Sequence, residues 1–536
     1  MSEQSNLPPD GTTNPIDTDY TVGQDNIQAQ LGPFGLDIHN PVFMISGLCI
    51  VAMVFVTLAL PGEAAEFFGW LRPALTSTFD SFFLLAGDIF VLVALALVVS
   101  PLGKVRIGGR DATPDYSYSG WFAMLFAAGM GIGLMFFGVS EPISHYTSSL
   151  AAGAGGPDSW APLAGAAGNE LEARRLGMAA TIYHWGLHPW AIYAIVGLSL
   201  AIFAYNKGLP LSVRSIFYPI FGERVWGWTG HIIDTLAVFA TLFGLATSLG
   251  IGAEQANAGL EFLFGVPVNN VSKVLLIVGI TGVALVSVVA GLDAGVKRLS
   301  EINMILAAVL LLFVIAVGPT LSIITGFFEN LLAYGEYLPA LSDPFGRSDE
   351  NFSQGWTSFY WAWWISWSPF VGMFIARVSR GRTVREFIVC VLLIPSLVSV
   401  LWMTAFGGTA ITMLNDGYMA IAESPLELKL FTMLGNLPLA SITSFVGIVL
   451  VIVFFVTSSD SGSLVIDTIT AGGKVDAPLP QRVFWAAFEG MVAIALLLGG
   501  GLGALQAASV STGLPFAFVL LLGCFALVKG LLSEPR

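Results

Sequence analysis

The chain carries few charged residues, and it contains only three cysteines and five histidines. Asp, Glu, Lys and Arg make up 11% of the 536 residues, whereas a soluble globular protein carries roughly a quarter. Cys49, Cys390 and Cys524 lie far apart in apolar stretches, so neither a disulfide framework nor a cysteine metal site is expected. The net charge of −14 argues against binding to nucleic acid. The shortage of charge indicates an integral membrane protein.

Long apolar segments are what the chain has instead: 55% of its residues are hydrophobic, and the mean hydropathy is +0.79. A helix of roughly 20 apolar residues crosses about 30 Å of hydrocarbon. We therefore expect an all-α integral membrane protein with about twelve transmembrane helices. The predicted spans are 40–60, 80–100, 119–140, 179–204, 230–254, 272–292, 301–327, 355–376, 386–410, 441–470, 481–501 and 505–530.

The positive charges predict the orientation of the chain in the membrane. With twelve spans and an inside N-terminus, 16 of the 22 Lys and Arg residues fall in inside loops and 6 in outside loops. Because positive charge accumulates on the cytoplasmic side, both termini are expected in the cytoplasm. Residues 1–36 contain no Lys or Arg and little apolar content, so we expect a disordered acidic tail there.

Two predicted spans have an unusual composition. Gly129, Gly131 and Gly133 alternate within the span 119–140, and each costs about 1 kcal/mol of helix stability relative to alanine. Either small residues let helices approach closely, or the helix unwinds at mid-membrane and exposes backbone groups to a substrate or ion. The alternate spacing favours the unwound helix. In the span 441–470, residues 457–463 combine several hydroxyls with a carboxyl, and back-bonding to helix carbonyls explains only part of this cluster.

Two aromatic clusters lie in distant spans. Trp185, Trp190 and Tyr193 share one broad helix face, and Trp364 and Trp367 share another. If the faces oppose each other, their rings form a box that binds a quaternary ammonium, which has no N–H to donate, through cation–π contacts. Ordinary aromatic packing or an interfacial belt is the alternative.

Two further polar groups lie in the spans. His184 and His188 are four residues apart, but no Glu or third His completes a metal motif, so we expect structural hydrogen bonds. Thr241, Thr247 and Ser248 form a second group of hydroxyls within the span 230–254. Hydroxyls and backbone carbonyls are ligands that suit sodium.

Four motifs together resemble the betaine/choline/carnitine transporter (BCCT) family from about residue 35 to the end. The motifs are Gly129-Met130-Gly131-Ile132-Gly133-Leu134-Met135 with Glu141-Pro142, His184-Trp185-Gly186-Leu187-His188-Pro189-Trp190, Trp363-Trp364-Ile365-Ser366-Trp367-Ser368-Pro369-Phe370-Val371-Gly372 and Thr457-Ser458-Ser459-Asp460-Ser461-Gly462. The resemblance implies a leucine-transporter-type (LeuT) fold, in which two five-helix inverted repeats follow two peripheral helices. The implied regions are a tail at 1–36, peripheral helices at 37–118, a first repeat at 119–327, an extracellular connection at 328–354, a second repeat at 355–530 and a short cytoplasmic tail at 531–536.

The resemblance also implies site residues. The substrate box would contain Trp185, Trp190, Tyr193 and Trp364, with Trp367 on the inward path and with Ala128, Gly129, Gly131 and Gly133 of the unwound helix. One sodium site would use the carbonyls of Ala127, Met130 and Phe454 and the hydroxyls of Thr457 and Ser458. A second ion site would use Thr241 and Phe370, but Leu245 stands where another hydroxyl is expected.

The function that the resemblance implies is secondary active transport, not catalysis. The expected substrate is a quaternary-ammonium or sulfonium zwitterion, such as the compatible solutes glycine betaine and dimethylsulfoniopropionate (DMSP), imported with sodium across a bacterial inner membrane. Gly133 stands where choline carriers tend to have Asp, which favours a neutral zwitterion. A proton-coupled choline or carnitine transporter is the alternative, while a channel or a membrane enzyme fits the scattered polar groups less well. We expect no cofactor and no metal beyond sodium, and the family often forms homotrimers.

Overall fold

A computed structural model describes residues 14–32, 34–151, 159–290 and 293–536 of the chain, and most of them are helical. An antiparallel hairpin comes first, formed by β1 (Asn26–Leu31) and β2 (Phe34–His39). The helices of the first half are α1 (Val42–Ala59), α2 (Pro61–Val99), α3 (Tyr118–Gly129), α4 (Ile132–Ala151), α5 (Glu170–Trp185), α6 (Leu187–Ala201), α7 (Tyr218–Phe221), α8 (Trp228–Phe264), α9 (Asn270–Ala290) and α10 (Asp293–Val317).

The second half is helical in the same way. Its helices are α11 (Thr320–Leu341), α12 (Glu350–Phe352), α13 (Ser358–Val378), α14 (Val384–Asn415), α15 (Ala420–Glu423), α16 (Lys429–Gly435), α17 (Ala440–Thr470), α18 (Leu479–Leu498) and α19 (Gly501–Leu532). Short 3₁₀ segments cover Pro101–Lys104, Arg214–Phe217, Gly222–Trp226 and Leu426–Leu428, and π-helical turns cover Ile202–Asn206 and Ser353–Thr357.

The prediction of an all-α membrane protein with about twelve spans is confirmed. Within the described residues, ten helices are long and apolar enough to cross a membrane, and α3 with α4 forms an eleventh, bent span. The remaining predicted span, 355–376, corresponds to α13, a helix of 21 residues. Its tryptophans, tyrosine and serines make it less apolar than the others, because these side chains carry polar groups.

The break between α3 and α4 confirms that the glycine-rich span unwinds. The two helices are bent by 63° relative to each other. Met130 leaves the helical conformation with φ −90° and ψ 134°, although its N–H still donates to the Phe126 carbonyl at 3.1 Å. A Cβ on Gly133 would lie 2.6 Å from the Trp185 ring, so glycine is needed there for close approach. A LeuT-type fold breaks its spans where substrate and ions bind.

The region between the two predicted repeats differs from the expectation. The predicted span 301–327 extends too far, because α10 ends at Val317 and a Gly318-Pro319 pair separates it from α11. Helix α11 has 22 residues and fills much of the connection that was expected at 328–354. It is held to α5 by an ion pair between Arg175 and Glu336 and by a hydrogen bond from Tyr337 to Glu172.

The disorder expected over residues 1–36 is wrong for the hairpin. Residues 1–13 and 33 lie outside the described residues, but the two strands pair from Asn26 opposite His39 to Leu31 opposite Phe34. The hairpin is bonded to the segment that directly follows α17: Asn26 donates to the Ala471 carbonyl at 2.8 Å, and Lys474 pairs with Asp37 at 2.5 Å. These tertiary contacts supply the stabilisation that the polar segment lacks by itself.

Arg214 holds the same segment from a second side. Its guanidinium donates to the Tyr20 hydroxyl at 2.7 Å and to His39 Nε2 at 3.2 Å, and it forms a salt bridge with Asp234 at 3.2 Å. It also lies over the Tyr20 and Trp226 rings. Burial, followed by repulsion from Arg214, lowers the pKa of His39 to about 3. His39 is therefore a neutral acceptor at neutral pH.

Candidate functional site

A cavity of about 330 Å³ lies beside the break between α3 and α4. The break, α13 and α17 supply most of its walls, with single residues from α5, α6 and α8 and two from α10. Fourteen of the predicted site residues line it: Ala127, Ala128, Gly129, Met130, Gly131, Gly133, Trp185, Tyr193, Trp364, Trp367, Phe370, Phe454, Thr457 and Ser458. These fourteen residues come from four of the predicted spans, which therefore meet around one space.

The aromatic rings meet edge to face at one wall of the cavity. The Trp364 ring lies 5.0 Å from Trp185 at an interplanar angle of 87°, and 5.5 Å from Tyr193 at 76°. The Trp364 indole N–H donates to the His184 carbonyl at 3.0 Å, which fixes the ring on α13 against α5. Such rings present π faces and are held in place by their polar edges.

Trp190 and Trp367 take different positions relative to this wall. Trp190 is buried and does not line the cavity; its ring packs edge to face on Tyr193 at 5.3 Å. It therefore supports Tyr193 from behind. Trp367 does line the cavity, and its indole N–H lies 2.9 Å from both the Gly244 carbonyl and the Ser248 hydroxyl. That bifurcated contact fixes its ring against α8.

The residues predicted for sodium lie along one side of the cavity, where the unwound segment faces α17. Helix α17 is continuous, and the Thr457 hydroxyl donates to the Val453 carbonyl at 2.9 Å and lies 3.3 Å from the Phe454 carbonyl. Its two lone pairs remain available to a cation. The Ala127 carbonyl, at the end of α3, accepts only a long contact from the Met130 N–H at 3.3 Å. These are oxygen ligands of the kind that hard cations prefer.

Only one of the two residues predicted for the second ion site lines the cavity. Thr241 is fully buried outside the cavity and donates to the Ala237 carbonyl at 2.7 Å, whereas Phe370 lines the cavity. The buried side chain of Leu245 packs toward Gly462 of α17, so an apolar contact occupies the place where a hydroxyl was expected.

Sequence reasoning missed two residues of the wall. Trp363 lines the cavity and donates from its indole N–H to the Ser248 hydroxyl at 3.2 Å. It precedes Trp367 by four residues, so helical spacing alone could have placed it on the same face. Ser248 also lines the cavity; it was identified as a hydroxyl in its span but not as the acceptor for two indoles.

Glu141 was missed as a functional candidate. Its fully buried carboxylate accepts from His184 Nδ1 at 2.6 Å and His145 Nε2 at 3.1 Å on one oxygen, and from Trp185 Nε1 at 2.8 Å and the Tyr360 hydroxyl at 2.6 Å on the other. One atom each from Glu141, His145 and His184 lies within 4.8 Å of the others, a spacing that could hold a metal ion. Hydrogen bonds already account for the group.

The two histidines of the sequence motif are hydrogen-bonded, as predicted. His184 also contacts the Thr357 hydroxyl at 2.9 Å through Nε2. His188 lies 2.9 Å from Asp88, and its ring stacks on Trp361 at 5.3 Å. Both side chains join α5 and α6 to neighbouring helices rather than face the cavity.

The cavity extends toward one end of the helix bundle. It reaches Arg377, an exposed residue at the C-terminal end of α13. Just beyond, Ser379 accepts from the Trp121 indole at 3.0 Å, Gly381 donates to the Ile107 carbonyl at 2.9 Å, and Arg110 donates to the Arg536 carbonyl at 3.0 Å. This end of the bundle therefore carries the C-terminus.

At the opposite end, aromatic rings pack together beyond the unwound segment. Phe137 lies 5.4 Å from Tyr360, 6.0 Å from Trp363 and 6.2 Å from Trp356, in each case edge to face. These contacts join α4 to the N-terminal part of α13 and fill the space above the cavity.

Comparisons with known proteins identify the family of the chain. A family model described as "BCCT, betaine/carnitine/choline family transporter" matches residues 41–536. A glycine betaine/proline/choline transporter of Vibrio parahaemolyticus is 68% identical over 98% of this chain and 96% of its own length. From the same organism, glycine betaine transporter 1 is 54% identical over 96% of this chain and 97% of its own length, and a glycine betaine/proline/choline/ectoine transporter is 51% identical over 96% and 91%. The chain belongs to the betaine/carnitine/choline family of transporters.

Proposed function

We propose that the chain imports a methylated onium zwitterion, such as glycine betaine or DMSP, together with sodium. The observation that carries the proposal is the meeting of Trp185, Tyr193 and Trp364 at a cavity that the unwound segment between α3 and α4 also lines. The relatives named above as glycine betaine transporters support the same substrate class.

The aromatic wall suits the cationic end of such a substrate. A trimethylammonium or dimethylsulfonium group has no N–H, so it is recognised through ring faces rather than hydrogen bonds. Each cation–π contact contributes about 0.5–1 kcal/mol when exposed and about 2 kcal/mol when desolvated. Several rings together offset much of the cost of removing water from the cation.

The unwound segment suits the anionic end. Backbone N–H groups freed by the break can donate to the substrate's carboxylate at mid-membrane. An aspartate at Gly133 would supply a counter-charge for a net cation, but a Cβ there would lie 2.6 Å from the Trp185 ring. The narrow fit at Gly133 therefore favours a substrate that brings its own carboxylate.

Sodium coupling is supported by oxygen atoms of α17 and of the end of α3. The carbonyls at the end of α3 and the hydroxyls of Thr457 and Ser458 border the same cavity as the aromatic wall. A cation that joins α3 to α17 would stabilise the unwound segment in the form that binds substrate, which couples the two ligands. Because Thr241 lies outside the cavity, we propose one sodium per substrate.

The direction of the cavity supports alternating access. If the termini lie in the cytoplasm, the cavity reaches the inside at Arg377, and the packed rings around Phe137 close it from the outside. This is the inward-facing arrangement of a secondary transporter, in which a gate on one side is shut while the other is open.

The test is uptake into proteoliposomes that contain the purified chain. Labelled glycine betaine, DMSP, choline and carnitine are offered with a sodium gradient or a proton gradient imposed separately. We expect sodium-dependent uptake of glycine betaine or DMSP. Uptake of choline or carnitine alone, driven by protons and indifferent to sodium, would establish the alternative coupling and overturn the proposal.

A further inference from the structure

The carboxylate of Glu141 lies directly behind the aromatic wall. Glu141 is on α4, its side chain is fully buried, and its Oε2 accepts the indole N–H of Trp185 at 2.8 Å. The Trp185 side chain forms part of the cavity wall. A charged group and the substrate space are thus separated by one indole.

The hydrogen-bond pattern identifies Glu141 as an ionised acceptor. Four donors surround its two oxygens: the Trp185 N–H, the Tyr360 hydroxyl, and one ring nitrogen each from His145 and His184. His184 Nε2 can accept from the Thr357 hydroxyl, which leaves Nδ1 protonated toward Glu141. A carboxylate with four donors needs no proton of its own.

Neither Lys nor Arg neutralises this carboxylate within the part of the chain that the structure describes. Its ion-pair partners there are the two histidines, at 2.6 and 3.1 Å. If both imidazoles are neutral donors, the cluster carries one net negative charge inside the membrane. Uncompensated buried charge is expensive, and in membrane proteins it marks a functional position.

An anion at the N–H edge changes what the indole offers to the cavity. The charge-assisted hydrogen bond fixes the ring orientation, and it polarises the indole so that its π face becomes more negative. A cation–π contact is electrostatic, so it strengthens with the negative potential of the face. The full charge of the carboxylate adds attraction for any onium on the other side of the ring.

Resting on the proposed function, we propose that Glu141 is a positioning residue that acts through Trp185 and extends recognition from zwitterions to net cationic methylated oniums such as choline. Gly133 brings no negative charge to the cavity, and the carboxylate of Glu141, which lies behind Trp185 of the aromatic wall, supplies one instead. For a zwitterion, repulsion of the substrate's own carboxylate offsets part of this attraction. A net cation has no such offset and depends on Glu141 more.

The test compares transport of choline and of glycine betaine by Glu141→Gln in proteoliposomes. We expect KM for choline to rise about tenfold and KM for glycine betaine about threefold, with kcat changed less than either. A purely structural role would instead raise both KM values by the same factor, and that outcome would overturn the proposal. Wild-type protein that transports glycine betaine but not choline would also overturn the proposal, whereas wild-type protein that transports neither of these nor DMSP would refute the proposed function instead.

Two further variants separate the route through Trp185 from a general effect. Trp185→Phe keeps a ring but removes the N–H, so it should itself raise the ratio of the choline KM to the glycine betaine KM. In the Trp185→Phe background, adding Glu141→Gln should change this ratio at least threefold less than it does in the wild type. Tyr360→Phe removes another donor from the same oxygen but keeps the ring that packs on Trp185 and leaves the Trp185 N–H in place, so it should shift the ratio less than twofold. An unchanged ratio in Trp185→Phe overturns the proposal even if Glu141→Gln fails to fold.

Discussion

Replacing Trp364 by leucine is the sharpest test of the aromatic wall. The Trp364 ring is edge to face with both Trp185 and Tyr193, at 5.0 and 5.5 Å, so it occupies the centre of the wall. Leucine keeps an apolar side chain but removes one π face. The loss of one desolvated cation–π contact costs about 1–2 kcal/mol, which corresponds to a rise in KM of about five- to thirtyfold.

A matched variant isolates the π face from the other loss at this position. The Trp364 N–H donates to the His184 carbonyl at 3.0 Å, and both Trp364→Leu and Trp364→Phe remove that hydrogen bond. Only the phenylalanine retains a ring. We therefore expect Trp364→Phe to recover most of the affinity, and a comparison of the two KM values measures the ring contribution directly.

The assay is initial uptake of labelled glycine betaine over a range of concentrations, with sodium saturating. Gel filtration and thermal unfolding of the purified variants check that the protein remains folded. Equal KM values for wild type and Trp364→Leu would refute the placement of the onium at this wall. Equal losses in both variants would assign the effect to the hydrogen bond with His184.

Three further predictions concern the ion, the narrow passage and the hairpin. Thr457→Ala should raise the sodium concentration for half-maximal uptake about tenfold, because one hard-cation ligand is lost. As a control, Thr468→Ala removes the same kind of hydrogen bond to a helix carbonyl, at 2.8 Å, from the same helix but away from the cavity, and it should change this sodium concentration little. Equal effects of the two variants would exclude Thr457 as a ligand. Gly133→Ala should reduce binding of all onium substrates alike, since the alanine Cβ would lie 2.6 Å from the Trp185 ring. Isothermal titration that finds an unaltered affinity would contradict the close fit at Gly133. Because the pKa of His39 falls from 6.5 to about 3 on folding, the unfolded segment binds a proton below pH 6.5 that the folded segment does not. Docking of the hairpin should therefore weaken as the pH falls below 6.5, by up to about 1.4 kcal/mol per pH unit. The protection of the hairpin amides from hydrogen exchange measures this stability. In His39→Gln the stability of the docked hairpin should no longer show this pH dependence.

The sequence predicted those features that depend on local composition. Apolar length identified the spans, and three alternating glycines identified the break after Gly129, because helix stability is lost within a few residues. The tryptophans predicted an aromatic wall because an indole on a mid-membrane helix needs both an apolar surface and a hydrogen-bond partner.

The features that sequence did not predict depend on contacts between distant segments. The polar hairpin at 26–39 is ordered by Lys474 and Arg214, which are far away in the chain. Trp190 shares a helix face with Tyr193 but is covered by it. Helical periodicity cannot distinguish a residue that lines the cavity from one that packs behind it. The role of Glu141 becomes visible only when α5 and α13 bring three donors to it, in addition to His145 of its own helix.

The fastening of the hairpin to the end of α17 has a mechanical consequence. The same helix presents Thr457 and Ser458 to the cavity, and a few residues beyond its final turn Lys474 and the Ala471 carbonyl hold Asp37 and Asn26. If α17 tilts during the transport cycle, either the hairpin moves with it or the contacts of Asp37 and Asn26 break. The fluorescence of a dye attached to an exposed strand position such as Gln28 would then change with each turnover, and it would report transport events from outside the membrane core.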